Sequence, residues 1–257
     1  MRAPLALALA LMAVGGLLSA CGKGQQSASV RTVTVQASGE SSKESSGGSA
    51  QGGSAKAQAR AFAQAVNLRA GDVPGYKATP REDERSSSTE KLHDKELQRC
   101  VGSGEDSHPL VEAASPSFER KASIAQVSVS SSVTVHSSAA IAKKELEAIR
   151  SPHTRSCFSK FFKGLFSGAY KGATIGPVSL ESGTPPAAGT SGSFGWRLRT
   201  SLTVRSIHLP FDLDILGFFY GRSSVALTSF GVAVQFPAKA EQQLFLLLLS
   251  RAKAHQP

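Results

Sequence analysis

From Val127 onward the chain alternates apolar and polar residues with a period of two, and that alternation limits its fold more than any other feature. Val127, Val129, Val133 and Val135 alternate with Ser128, Ser130, Ser132 and Thr134. Phe194, Trp196, Leu198, Thr200, Leu202 and Val204 fall on one side of a second run, with Arg197, Arg199, Ser201, Thr203 and Arg205 on the other. Leu209, Phe211, Leu213 and Ile215 continue in a third run, and Gly221-Arg222 turns the chain into a fourth from Ser224 to Phe236. A period of two belongs to a strand with one buried face. Short connections between such runs make neighbouring strands antiparallel, so the expectation is a meander.

Helical periodicity fills much of the rest. Residues 55–67 place Phe62, Ala63 and Val66 on one side and end at Gly71, Pro74 and Gly75, after which Tyr76–Thr79 starts a strand. Arg81–Arg85 reads as a charged loop, and Ser87-Ser-Thr-Glu90 as a capping box before a short helix carrying Leu92, Leu97 and Cys100. Ser137 or Ser138 caps a helix with Ile141, Ala142, Leu146 and Ile149 inside and Lys143, Lys144, Glu145 and Glu147 in water. Pro152 breaks it, and a helix from near Thr154 aligns Phe158, Phe161, Phe162, Leu165 and Phe166. Ile175–Leu180 reads as a strand and 183–192 as a loop. Pro237 opens a last helix whose Leu244–Leu249 run is apolar all round, which calls for burial on the sheet and is too short to span a bilayer. Strands and helices mix without a regular βαβ alternation. The expected fold is therefore α+β, an antiparallel β-sheet covered by helices on one face in a two-layer sandwich.

The first residues carry an address. Arg2 precedes an uncharged stretch from Ala3 to Leu18, the pattern of an export signal, and Leu18-Ser-Ala-Cys21 resembles the bacterial lipobox. That resemblance implies cleavage before Cys21 and a lipid on its sulfur, with enough acyl chain for stable anchoring at the extracytoplasmic face of the cell membrane. The plainer alternative is secretion with Cys21 merely near the cleavage site. From Gly22 to about Ala57 the chain is mostly Ser, Gly, Gln and Ala, a composition that cannot repay its ordering entropy. Such a tether reaches roughly 30–35 Å. Three parts follow: residues 1–20 as signal peptide, 21–57 as lipidated cysteine and tether, and 58–257 as a single α+β domain.

With Cys21 on lipid, Cys100 and Cys157 remain in an oxidising compartment, and an even remainder favours a disulfide. Chain entropy assigns the closed loop about 4 kcal/mol. Free thiols, or a metal site supported by nothing beyond His153-x₃-Cys157, are the alternatives. Hydrophobic residues at 40% exclude a wholly disordered or collagen-like chain. Lys and Arg number 29 against 19 Asp and Glu, a formal net charge of +10, and of these only Arg2 lies within residues 1–20. Such a domain near an anionic leaflet is drawn towards it, while the plainer reading is a merely soluble basic surface.

The export signal, lipobox, tether, the Asp72-Val-Pro-Gly75 phrase, two spaced cysteines and the Gly221-Arg222 hairpin together resemble actinobacterial surface lipoproteins. Within that group the chain is similar to the extracellular sensor domains of receptor serine/threonine kinases. The resemblance implies a helix-covered antiparallel sheet with disulfides, and sensing of a ligand or partner without catalysis. It reaches Cys21, Cys100 and Cys157 and no other functional residue.

Catalytic patterns are thin. Ser88-Thr-Glu-Lys91 matches Ser-x-x-Lys, yet no Lys-Thr-Gly accompanies it. Nucleotide-binding glycine patterns and His-Glu-x-x-His are absent, and His93, His108, His136, His153, His208 and His255 are scattered singly, each by default solvated or satisfied. No enzyme activity, cofactor or metal is expected. Asp212 and Asp214 share one strand face, where they could bind a cation or move protons; the plainer reading pairs them across the ladder with Arg197, Arg199 or Arg205. If those three arginines lack partners, they form a basic binding face for phosphate, anionic lipid or cell-wall polymer. An envelope protein is the other expected partner, and nucleic acid is not. The function expected is a non-catalytic binding or sensor module on the membrane. The alternative is a carrier of a hydrophobic ligand such as a lipid, with Phe158–Phe166 and Leu244–Leu249 as its walls.

Overall fold

A computed structural model describes residues 49–80, 100, 109–169, 173–204 and 206–257. Cys21, Arg205, Ser88, Lys91 and the charged loop at 81–85 lie outside the described residues, as does the expected short helix apart from Cys100 itself. The elements run α1 (Ser49–Val66), a single 3₁₀ turn (Ala70–Asp72), β1 (Lys77–Thr79), β2 (Val111–Ala114), β3 (Ser117–Ala122), β4 (Ala125–Val135), α2 (Ala139–Arg150) and α3 (Pro152–Ala169). Then come β5 (Ala173–Ile175), β6 (Ser179–Gly183), β7 (Gly192–Val204), β8 (Ile207–Tyr220), β9 (Ser223–Val232) and α4 (Ala238–Ala254).

The expected antiparallel α+β architecture is present. One sheet takes the order β1-β3-β4-β9-β8-β7-β5, with β2 also beside β4 and β6 also beside β7. Every pairing is antiparallel. β3 and β2 lie end to end along one edge of β4, at residues 125–129 and 132–135, with Pro116 in the gap between them. β5 and β6 divide the outer edge of β7 in the same way, with Pro177 in their gap. Proline has no N–H to give the ladder, so each edge breaks there and the single strand expected at 175–180 becomes two. The β8–β9 hairpin turns at Gly221, φ +57, a left-handed conformation that suits glycine.

What differs from expectation is the number of covered faces. Leu198, Leu213 and Phe230 pack with Leu146 of α2 and Phe158 of α3, whereas Val129, Val133, Val225, Leu227 and Phe218 pack with Phe62 of α1 and Phe245 and Leu248 of α4. Residues of alternate parity on β8 and β9 belong to the two groups, so one helix pair lies on each face. The cause is visible in β8 and β9. Leu216-Gly-Phe-Phe219, and Val225 and Leu227 against Phe230 and Val232, are apolar in both directions and need cover on both sides. For the same reason the serine side of β4, expected to be wet, is largely buried at Ser128, Ser132 and Thr134. Leu246 corrects the expectation for α4 in the other direction: it is 48% exposed while its neighbours Leu244, Phe245, Leu248 and Leu249 are buried.

α1 begins inside the stretch expected to be tether. Its residues 53–58 nevertheless stay at or near the surface, and burial begins at Ala59, at the expected domain boundary. Once the buried turns nucleate the helix, each added residue gains a hydrogen bond, and an Ala- and Gln-rich sequence extends it outward. Its C-terminus is fixed by Ser131, the one polar residue in the valine row of β4. Leu68 N donates to Ser131 Oγ at 2.9 Å, and that hydroxyl donates to Asn67 Oδ1 at 2.8 Å. Arg251 of α4 closes the same corner. Its two terminal nitrogens donate to the two carboxylate oxygens of Asp72, each at 2.7 Å, and Nη1 donates also to Asn67 O at 3.0 Å. Burial alone would raise the Asp72 carboxyl, but these bonds and the one from the Arg69 N–H hold it below its ordinary range.

Cys100 and Cys157 form a disulfide across a sequence separation of 57, with Cα atoms 5.3 Å apart, and Thr154 Oγ1 donates to Cys100 O at 2.9 Å. Among the described residues no helix is long and apolar enough to cross a membrane. Replacing Cys157 by Ser should lower the stability of the domain by about 4 kcal/mol. Urea denaturation of the two proteins, compared under non-reducing conditions, measures it.

Candidate functional site

β7 and β8 set Arg197 opposite Asp214 and Arg199 opposite Asp212. Directly opposed residues of an antiparallel pair share a face, so two opposite-charge pairs stack along the ladder on the α4 side. Arg197 grips Asp214 with two nitrogens: Nε lies 2.9 and 3.1 Å from the carboxylate oxygens and Nη2 3.0 Å from Oδ2. Arg199 Nε donates to Asp212 Oδ1 at 2.8 Å, and Gln235 Nε2 reaches the same oxygen at 3.1 Å. α4 adds Glu241, buried beside Ser229, whose hydroxyl donates to Oε1. Burial pushes the Glu241 carboxyl up, the Ser229 bond opposes this, and the charge of Asp214 pushes it further up. The Asp214 bonds in turn hold the Arg197 guanidinium more firmly charged than usual, and Glu241 and Glu181 add to that.

The basic face expected from Arg197, Arg199 and Arg205 is therefore neutralised at its first two positions, and Arg205 lies outside the described residues. The plainer reading of Asp212 and Asp214 is the one the register delivers.

Next to the Arg197–Asp214 pair a cleft of about 260 Å³ opens. Its floor is a glycine pair: Gly183 of the edge strand β6 faces Gly195 of β7, and both lie in the lining. A Cβ at Gly183 would meet nothing within 4 Å, and one at Gly195 would make ordinary contacts at 3.4 Å. The space exists because two opposed positions carry no side chain. Glu181, Ser182 and Thr184 supply polar groups on one side, Arg197 and Asp214 on the other, and Pro185 and Leu216 apolar surface. Sequence reasoning found the arginines and aspartates but missed Glu181, Gln235, Glu241 and the glycine floor. These residues are brought in by strand register and by α4, and no local pattern marks them.

A second cluster of ionisable groups sits on the other face. His136, just after β4, is 2% exposed, with Nε2 3.0 Å from Glu145 Oε2. Burial pushes His136 down to about 4 and Glu145 up to about 7, and burial together with Glu145 pushes Glu112 of β2 up to about 8. Glu145 was expected in water. It stands four residues after Ile141 and one turn before Ile149, on the flank of the inward face of α2, and the spacing alone could have placed it there. Below about pH 7 a protonated Glu145 carboxyl therefore faces a neutral imidazole, and the cluster carries little charge inside the protein.

Other expected sites resolve simply. Phe158, Phe161 and Phe162, offered as walls for a lipid, pack on one another and on Trp196, with ring centroids 5.3 Å apart for Phe158–Trp196 and for Phe161–Phe162. Thr203 Oγ1 lies 2.8 Å from His208 Nδ1, a hydroxyl–imidazole contact in the open. Among the described residues no group of three or more His, Cys, Asp or Glu side chains is placed to hold a metal ion. Compared with protein-family models and with curated proteins, the chain matches none.

The buried acids make stability depend on pH. In the folded protein Glu145 and Glu112 keep protons to about pH 7 and 8, while unfolded glutamates lose them near 4.5, so their contribution drains away as pH rises through that window. His136 acts oppositely, with stability lost as pH falls from 6.5 through about 4, so the carboxyl effect stands clear above 6.5. Thermal melts should show the transition temperature falling from pH 6.5 to 8, and Glu112→Gln should flatten that slope.

Proposed function

We propose that the chain is a membrane-anchored extracytoplasmic lipoprotein whose domain is a non-catalytic binding or sensor module, with its ligand seated in the cleft beside Arg197. The observation that carries this is the glycine-floored space walled by a bidentate Arg–Asp pair. Paired guanidinium and carboxylate offer donors and acceptors side by side in a fixed plane, with Glu181 opposite Arg197 in the β6–β7 register and Thr184 beside them in the lining. Such a wall suits a neutral, hydroxyl-rich ligand better than an anion, because Asp214 already answers the charge of Arg197. The volume is slightly below the ~300–1,000 Å³ of drug-sized sites. That is room for about one sugar ring, and a cell-wall glycan is the partner whose chemistry fits.

The anchor is supported by the Leu18-Ser-Ala-Cys21 phrase behind an uncharged export segment. Aromatic packing of Phe158, Phe161 and Phe162 into the core weighs against a lipid carrier, because those side chains contact one another where a ligand would have to lie.

Calorimetric titration of the protein with soluble cell-wall glycan fragments tests the cleft. Binding is expected to weaken at least tenfold in Gly183→Val, whose Cβ enters open space above the floor, while the melting temperature stays close to that of the parent. Unchanged binding in that variant, or none in the parent, would overturn the reading. Mass analysis of the N-terminal fragment from host membranes tests the anchor separately.

A further inference from the structure

Gln126 and Phe211 both pair with Val232, so the β3–β4 turn, the β7–β8 turn and the bend after β9 emerge at one end of the sheet. Each of these connections holds a non-glycine residue in the left-handed region: Ser123 at φ 57, Ser206 at φ 70 and Ala233 at φ 62. Among the described residues no other non-glycine residue does so. In each case the next residue is a large aliphatic left in water. Ile124 is 58% exposed, Ile207 52% and Val234 45%; Leu246, on α4, is the one other large hydrophobic exposed among the described residues. Side chains disfavour that backbone conformation, and strain of this kind gathers where a protein does work. The hairpin at the opposite end uses Gly221 for the same conformation and follows it with Arg222, a charged residue.

Charge at the aliphatic end is one-sided. Arg120 and Lys239 are exposed there; Lys121 is paired with Glu119 at 3.0 Å, Asp212 with Arg199, and Glu241 is buried against Ser229. The Arg120 guanidinium lies 5.0 Å from the Tyr76 ring centroid, and Tyr76 packs on Phe236 at 5.8 Å, so an amphipathic aromatic sits on the same rim. At about 4.8 Å per strand, the two hairpin tips stand roughly 14 Å apart across the sheet. Separate aliphatic tips set among cations suit a fluid, anionic interface rather than a shaped protein partner.

The geometry points to this end of the sheet as a membrane-contacting surface, with Ile124, Ile207 and Val234 entering the boundary between headgroups and acyl chains while Arg120 and Lys239 meet the phosphates of an anionic bilayer. It rests on the reading of a chain tethered at the membrane and adds an orientation to it: the domain lies against the leaflet on these three connections. The net charge of +10 favours the same approach.

The test uses the full chain carrying Cys21→Ala, so that no acyl chain contributes. Co-sedimentation is measured with vesicles of mixed phosphatidylglycerol and phosphatidylcholine, and with phosphatidylcholine alone. The protein is expected to bind the anionic vesicles, and less so as salt rises. Ile124→Ser and Ile207→Ser should each lower partitioning about tenfold, from the apolar area they no longer bury. Leu246→Ser, an equal loss of exposed aliphatic surface elsewhere, should leave it unchanged. Brominated lipid should quench Ile207→Trp and spare the buried Trp196. Failure to bind anionic vesicles, indifference to the isoleucine changes, or an equal loss in Leu246→Ser would each overturn the assignment. Because lipidation is removed throughout, a missing lipid on native Cys21 would sink the anchor reading and leave the vesicle result standing.

Discussion

The four helices fully described can divide between two sides of a single sheet because its central strands are apolar in both directions, and much else in the protein answers to that requirement. β8 and β9 send Phe211, Leu213, Phe230 and Val232 towards α2 and α3, and Phe218, Val225 and Leu227 towards α1 and α4. Polar groups trapped on such strands must find partners within reach, since an unpaired buried group costs more than a bond returns. Ser131 finds the end of α1, Ser229 finds Glu241, and Asp212 and Asp214 find the arginines of β7. The charged ladder is where the sheet runs out from beneath α4, and the cleft opens just beyond it.

Much of this was legible in the sequence because period-two alternation reports a half-buried strand directly. β4, β7 and β8, the helix capped by Ser138 and the turn at Gly221 stand close to where the pattern puts them. β2 and β3 carried no such signal. Val111-Glu-Ala-Ala and Ser117-Phe-Glu-Arg-Lys-Ala are short and poor in β-branched residues, and they are strands because β4 offers them an edge. The second covered face escaped for a related reason. A run such as Leu216-Gly-Phe-Phe219 breaks the alternation without saying which helices lie above and below it.

The candidate site divides in the same way. Arg197, Arg199, Asp212 and Asp214 are legible because alternation fixes their common face, and opposite charges on one face invite pairing. Glu181, Gly183 and Gly195 become a site through the register of β6 on β7, which no local pattern encodes. Glu145 shows the limit of reading polarity as exposure. Its place on α2 makes it a flank residue, and burial there beside His136 raises its carboxyl so that it holds its proton up to about pH 7.

Arg251 and Asp72 stand 179 residues apart in sequence, yet their forked contact joins the last helix to the segment that follows the first. If the chain is anchored through its N-terminus, as proposed above, any drag on the body arrives as tension on α1. The Arg251 clamp and the Ser131 contact pass that load straight to α4 and to the middle of the sheet. The pull is thus spread across strands that resist it together, and α1 is not peeled away one turn at a time.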